Sequence, residues 1–261
     1  PRILPAEDAE ISDLARKAFI KQGIVIHTGT RVERMAKGAD SVTATLRMPD
    51  GAAKEIAADR VILAIGITGN VEGLGLEEQG VKVENGHIVV DEWCRTGAPG
   101  LYAIGDVIGA PWLAHKASHE GVMCVEKIAG VAGVHPLDKT AIPGCTYSTP
   151  QVASVGLTEE EARASGHELK IGRFPYSANG KAIALGETEG LVKTIFDAKT
   201  GALLGAHLLG AEATELIQGF VIAKTLETTE AELIAAIFPH PTLSEMMGES
   251  VLDAFGRAIH I

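Results

Sequence analysis

Eleven residues, Thr96-Gly97-Ala98-Pro99-Gly100-Leu101-Tyr102-Ala103-Ile104-Gly105-Asp106, constrain this chain more than any other stretch. A turn rich in Gly and Pro feeds a short apolar strand, and the strand runs into Gly-Asp. That places a carboxylate at the carboxyl end of a strand, where doubly wound sheets bind ligands. Asp106 is there to accept hydrogen bonds from a sugar or ribityl hydroxyl. Pro111-Trp112-Leu113-Ala114-His115-Lys116-Ala117 then opens a helix that reaches about Ile128 and stops at Gly130. Small residues at Ala114, Ala117 and Gly121 would let a flat ring approach its first turn, where free N–H groups and the positive dipole end favour electron-rich atoms. The alternative is that the same three positions serve only helix packing.

The composition agrees with an α/β protein built on tight turns. The 261 residues include 30 glycines, and aromatic residues make up only 4%. A net charge of −11 offers no basic stripe to phosphates, which argues against a nucleic-acid partner. No apolar run of about 18 residues is present, so no membrane helix and no membrane partner are expected. Cys94, Cys124 and Cys145 are far apart and form no CxxC or CxxxxC pair, which reads as reduced cysteines in an intracellular protein. The sequence starts at Pro1 without Met and with no visible signal peptide. A helix over about residues 8–22 follows, with Ile11, Leu14, Ala15, Ala18 and Phe19 on one face, and Gly23 ends it. Residues 24–27 read as a short buried strand. This resembles the second half of a βαβ unit, so the chain is expected to be a piece of a longer one.

Residues 41–48 alternate as a strand does, Pro49-Asp50-Gly51 turns, and a partner strand is expected before Asp59. Residues 60–65 form an apolar run of the kind found in a parallel strand covered on both faces, ending at Gly66. Asn85-Gly86 between residues 81–84 and 87–91 is a type I′ hairpin signal. After a linker over residues 137–143 the character changes. Strands are expected at residues 151–155, 169–176, 191–196 and 202–209, the last two forming an antiparallel pair. Thr158 with Glu161, and Thr229 with Glu232, read as capping boxes. Helices are expected over residues 212–225 and 242–255. Strands followed by helices make this part α+β.

The last helix is preceded by His240-Pro241-Thr242-Leu243-Ser244-Glu245. A histidine and a carboxylate flanking a proline turn form a compact acid/base device, because the carboxylate can orient the imidazole and stabilise its protonated form. The competing reading is structural: Thr242 caps the helix, Glu245 closes a capping box, and His240 is a loop residue.

Taken together, TGAPGLYAIGD, WLAHKASHEG and HPTLSE, in this order and spacing, resemble the pyridine nucleotide–disulfide oxidoreductases, and the LAHKA helix start is similar to the dihydrolipoamide dehydrogenase branch of that family. The resemblance implies an α/β architecture of the FAD/NAD-linked reductase type, present in part, followed by an α+β dimerisation domain with an antiparallel sheet. It implies residues 1–68 as the end of an NAD-binding domain, 69–138 as a central, FAD-contacting domain and 139–261 as an interface domain.

By position, the resemblance makes Asp106 a ligand of the ribityl chain of FAD. It makes Trp112, Leu113, Ala114 and His115 the stretch facing the flavin ring, and Val32 and Gly66 contacts to NAD. His240 becomes the catalytic base and Glu245 its orienting carboxylate, with a raised expectation of a cis His240–Pro241 bond. The implied substrate is dihydrolipoamide. The implied assembly is a homodimer in which His240 serves the partner subunit's site, with apolar helix faces around Phe220 and Ile237 at the interface. A basic subunit-binding module of a 2-oxo-acid dehydrogenase complex is a further implied partner, since residues 139–261 carry nine Lys and Arg against fifteen Asp and Glu. The family's GxGxxG motifs, its CxxxxC disulfide and its acidic ribose-binding residue are not in this sequence. The alternatives left open are a non-catalytic dimerisation module and another disulfide reductase of the same family.

Overall fold

The computed structural model describes residues 1–261. In chain order, helix α1 (Ala9–Lys21) is followed by strands β1 (Arg31–Lys37), β2 (Val42–Arg47) and β3 (Ala53–Ala58), then β4 (Val83–Glu84), β5 (His87–Ile88) and α2 (Ala114–Ala129). Next come β6 (Gly144–Thr146), β7 (Gln151–Gly156), α3 (Glu159–Ala164), β8 (Leu169–Pro175), α4 (Gly180–Leu185), β9 (Leu191–Asp197) and β10 (Leu203–Gly210). Helices α5 (Ala213–Thr225), α6 (Glu230–Ala235) and α7 (Glu245–Ala254) close the chain. Two compact units result: Pro1–Val61 with Thr140–Ile261, and Ile62–Lys139. No helix is long and apolar enough to cross a membrane.

In the first unit β6 to β10 form one antiparallel sheet, ordered β6-β7-β10-β9-β8. Because side chains alternate across a strand, each strand supplies two faces. Ala153, Val155, Val192, Phe196, Ala206 and Leu208 point to one face and pack with Ile217 and Phe220 of α5 and Met246 and Val251 of α7. Their neighbours Val152, Leu191 and Leu209 point the other way and pack with Ile11 and Ala15 of α1. Being covered on both sides, β9 is buried along its whole length. Removing a fully buried ring such as Phe220 from this core would cost about 3–5 kcal/mol.

Glycine sets the approach of α7. A Cβ on Gly172 of β8 would run into the Ser250 carbonyl of α7. That carbonyl also accepts the Thr194 hydroxyl of β9 at 3.1 Å.

Helix α1 is capped by Asp8, which accepts the Glu10 N–H at 3.0 Å. Capping boxes form at Thr158 with Glu161 and at Thr229 with Glu232. The short sheet β1-β2-β3 is antiparallel, with β1 at an edge. In the second unit, Asn85 (φ 51°) and Gly86 (φ 75°) both take the positive φ of a type I′ turn, joining β4 to β5. Helix α2 ends at Gly130 in the left-handed conformation.

Three expected strands do not form. The apolar stretch over residues 101–104, before Gly105-Asp106, makes only an isolated bridge, Tyr102 to Arg95, so Asp106 follows a loop and not a strand end. Residues 24–27 and 60–65 have no ladder partner, and Val25, Ile62 and Ile65 are exposed. An apolar run becomes a parallel strand only when neighbouring strands meet it on the hydrogen-bonding sides, and every sheet in this chain is antiparallel and pairs no strand with these residues. Three of these strands and helices went unforeseen: β1, the edge strand β6 and the short helix α4.

Candidate active site

Residues 240–245 reach their position because the loop is tied down at several points. Leu243 is buried in the core. The Thr242 hydroxyl donates to the Pro239 carbonyl at 2.6 Å and lies 2.8 Å from the Ser244 hydroxyl. Asn179, itself buried, caps α4 by accepting the Ala182 N–H at 2.9 Å and donates its amide to the Thr242 carbonyl at 3.1 Å. The His240–Pro241 bond is cis.

On this loop His240 Nδ1 lies 2.8 Å from Glu245 Oε1. The second carboxylate oxygen, Oε2, accepts the Thr242 N–H at 2.8 Å. Burial pushes the Glu245 carboxyl up, but the Thr242 N–H and the His240 ring outweigh it and hold the group below its ordinary value. A carboxylate only accepts, so Nδ1 carries the ring hydrogen of neutral His240 and Nε2 keeps a lone pair. The side chain is 78% exposed and has its pair open to an incoming proton donor.

The two competing readings of Glu245 are both realised in part. Its carboxylate returns to the Thr242 N–H as in a capping box, yet Thr242 spends its hydroxyl on Pro239 and Ser244, and the helix begins after Ser244. The pair lines a cleft of about 490 Å³ with Phe174, Ile183, Phe238 and Leu252. Glu249, one turn along α7, faces the same cleft. It accepts the Ile259 and His260 N–H groups and the His260 ring, the last at 2.8 Å, so the segment after α7 is strapped to the helix. Neither this second pair nor Asn179 was found from sequence. The Glu249/His260 pair is separated by 11 residues and leaves no motif.

In the second unit Asp106 lies on a turn of 3-10 helix, Gly105–Ile108, with an exposed carboxylate that accepts no hydrogen bond from the chain. Leu113 precedes α2 and no side chain caps that helix end; the first helical hydrogen bond runs from the Ala117 N–H to the Leu113 carbonyl. Ala114 and His115 are exposed on the first turn. Trp112 donates to His87 Nε2 at 3.3 Å, fixing the indole against the β4–β5 hairpin.

The small residues divide. A Cβ on Gly105 would meet Ala117 at 3.3 Å and one on Gly121 would meet Ile104 at 3.2 Å, so Ala117 and Gly121 serve helix packing, while Ala114 lies open. An unpaired carboxylate beside an uncapped helix start suits a ligand carrying both hydroxyl donors and electron-rich acceptors, as FAD does.

Of the two positions expected to meet NAD, Val32 is exposed on the edge strand β1 in the first unit. Gly66 lies in the second unit in a segment without regular structure, with open space around it, not at the end of a parallel strand. No cluster of three or more His, Cys, Asp or Glu is arranged to hold a metal ion.

Comparison with known proteins gives the family. Residues 1–121 match the pyridine nucleotide-disulphide oxidoreductase profile, and residues 142–251 match the dimerisation domain of pyridine nucleotide-disulphide oxidoreductases. The chain belongs to the pyridine nucleotide–disulphide oxidoreductases. Among curated members of that family, it is 59% identical to the dihydrolipoyl dehydrogenase of Rhizobium etli, which it matches over all of its own length and 54% of the relative's. Identity to the dihydrolipoyl dehydrogenase of Zymomonas mobilis is 57%, over 100% of this chain and 56% of that protein. The chain therefore spans about half the length of these relatives.

Among solved structures of oxidoreductases of this kind, LpdA from Mycobacterium tuberculosis superposes with a TM-score of 0.85 at 26% identity, over 94% of this chain and 52% of that one. The HOCl-induced flavoprotein disulfide reductase RclA from Escherichia coli gives 0.83 at 27%, over 95% and 56%. The family's α/β reductase architecture and its α+β dimerisation domain with an antiparallel sheet are thus those of this chain.

Proposed function

We propose that this chain forms about half of a dihydrolipoamide dehydrogenase that oxidises dihydrolipoamide to lipoamide with FAD and NAD, and that His240 is its base. The observation carrying this reading is the 2.8 Å contact between His240 Nδ1 and Glu245, with Nε2 left free on an exposed ring. Proton transfer begins when Nε2 accepts the proton of a substrate thiol. Glu245 then stabilises the imidazolium through the hydrogen bond it already makes, so no group has to move. Bound FAD supplies a two-electron acceptor. Asp106 holds its ribityl hydroxyls, and the backbone of Trp112, Leu113, Ala114 and His115 at the start of α2 meets the electron-rich edge of its ring. Val32 and Gly66 contribute to NAD binding.

In this reading residues 1–68 close the NAD-binding domain, 69–138 form the FAD-contacting part, and 139–261 make a homodimer interface. His240 serves the partner subunit's site, which its outward exposure supports. Phe220 is wholly inside its own core and takes no part in that interface, whereas Ile222, Leu226 and Ile237 are exposed and available to it. The acidic balance of the interface part suits a basic subunit-binding module of a 2-oxo-acid dehydrogenase complex, and the complete enzyme would work in the cytoplasm.

The deciding experiment is stopped-flow flavin reduction by dihydrolipoamide in the full-length enzyme. His240→Gln should slow it by about 10²- to 10⁴-fold at unchanged melting temperature. A near wild-type rate removes His240 from the mechanism.

A further inference from the structure

Lys116 and Glu120 are the most deeply buried ion pair of the second unit, with side chains 3% and 6% exposed and Nζ and Oε1 3.0 Å apart. A buried pair of this kind is not an economical way to hold a helix, because a pair of apolar residues of similar volume is often as stable or more so. Its remaining hydrogen-bonding capacity is spent on one short turn. Glu120 Oε2 accepts the Gly105 N–H at 2.8 Å. Lys116 Nζ donates to the Gly105 carbonyl at 3.5 Å and to the Gly109 carbonyl at 3.2 Å.

Gly105 is buried and lies outside any ladder; its carbonyl opens the 3-10 turn, but its N–H would be unsatisfied without Glu120. Asp106 stands between the two clamped residues, its carbonyl accepting the Gly109 N–H at 3.1 Å. Both ends of the turn are therefore fixed to the first two turns of α2, and the open N-terminus of α2 lies directly before Lys116.

We propose that the Lys116–Glu120 pair is the positioning element of the flavin site: it sets the Asp106 carboxylate at a fixed spacing from the uncapped N-terminus of α2, so that one ligand meets both. This rests on the reading of Asp106 as the ribityl acceptor. The pair touches no ligand itself. A ligand that binds a carboxylate and helix N–H groups together gains affinity when their separation is set in advance, because the ordering cost has been met in the fold.

The test uses the full-length enzyme stripped of FAD, with FAD affinity read by quenching of flavin fluorescence, the visible flavin spectrum recorded on rebinding, and melting temperature measured on the apoprotein. Lys116→Met with Glu120→Leu replaces the pair by apolar groups. It should leave the melting temperature within about 5 °C of wild type, weaken FAD by about ten- to a hundredfold, the worth of one charge-assisted hydrogen bond, and alter the bound spectrum. FAD affinity within twofold of wild type in a stably folded double variant overturns the proposal. If that variant does not fold, Glu120→Gln decides on the same readings: weakened FAD at an unchanged melting temperature supports positioning, and unchanged FAD affinity overturns it. Asp106→Asn separates the two levels. If it weakens FAD while the pair variants do not, the positioning role falls and the reading of Asp106 stands. If it leaves FAD affinity unchanged, the reading of Asp106 falls and the proposal with it.

Discussion

Lys193 and Asp8, 185 residues apart in sequence, meet at 2.8 Å with each side chain only 2% exposed. Glu10 and Glu159 complete the contact at 3.0 and 2.9 Å, and Arg173 joins it through Glu10. This cluster holds the first turn of α1 on the sheet face opposite α5 and α7. Lys193→Met would leave the buried Asp8 carboxylate without its cation, while Glu10 and Glu159 keep Arg173 and Arg163, and should destabilise the protein by about 3–5 kcal/mol in urea unfolding. A loss under 1 kcal/mol would show that the cluster is ornamental.

The same cluster fixes a pH dependence. Burial pushes Asp8, Glu10 and Glu159 up, but their bonds to Lys193, Arg173, Arg163 and the Glu159 N–H outweigh it and all three carboxyls lie below their ordinary values. A carboxyl depressed in the folded state binds fewer protons there than in the unfolded chain. Its stabilisation is thus present above the ordinary values of 3.8 and 4.5 and is lost as pH falls through the lower folded values. Unfolding free energy measured from pH 6 down to pH 2 should fall in wild type, and this part of the slope should be reduced in Lys193→Met.

Glu245→Gln should harm both rate and stability, because the carboxylate serves two donors. An amide presents one acceptor oxygen, so either the Thr242 N–H or His240 Nδ1 then faces an NH₂ group. Expected are a smaller rate loss than in His240→Gln and about 0.5–1 kcal/mol of lost stability. Unchanged melting together with an unchanged rate of flavin reduction would contradict the dual role.

Asn179→Ala removes both the cap of α4 and the clamp on the Thr242 carbonyl. A stability loss of about 1–2 kcal/mol is expected from the cap, and up to about 10²-fold in kcat from misplacement of His240. A variant with wild-type kcat would show that the loop holds the imidazole without Asn179.

Gly172→Ala tests the seat of α7. The added methyl meets the Ser250 carbonyl, which is backbone and cannot swing aside. About 1–3 kcal/mol of destabilisation is expected in urea unfolding, because the Ser250 carbonyl must move and the Thr194 hydroxyl then loses its acceptor. Full wild-type stability would mean that the helix shifts freely.

Local chemistry was legible in the sequence wherever one stretch decides it. The turn at Asn85-Gly86, the boxes at Thr158 and Thr229, the stop at Gly130 and the pairing of His240 with Glu245 all depend on residues within five positions of each other. Contacts between distant segments were not legible. Nothing in residues 8–22 says that Asp8 will meet Lys193, and nothing near Glu249 names His260. The apolar runs at residues 24–27 and 60–65 misled for the same reason, since a strand is defined by its neighbours. Gly172 gave no signal because a glycine in an alternating strand looks like a weak point, until a helix is known to rest on it.

The covering of the β7–β10 face by α1 also sets an order of events during synthesis. Ile11 and Ala15 acquire their apolar surroundings only after Leu191 and Leu209 have been made. At roughly 5–20 residues per second, the interval separating Asp8 from Lys193 lasts on the order of ten to forty seconds. Throughout that time the apolar stripe of α1 lacks the sheet residues that cover it in the finished fold.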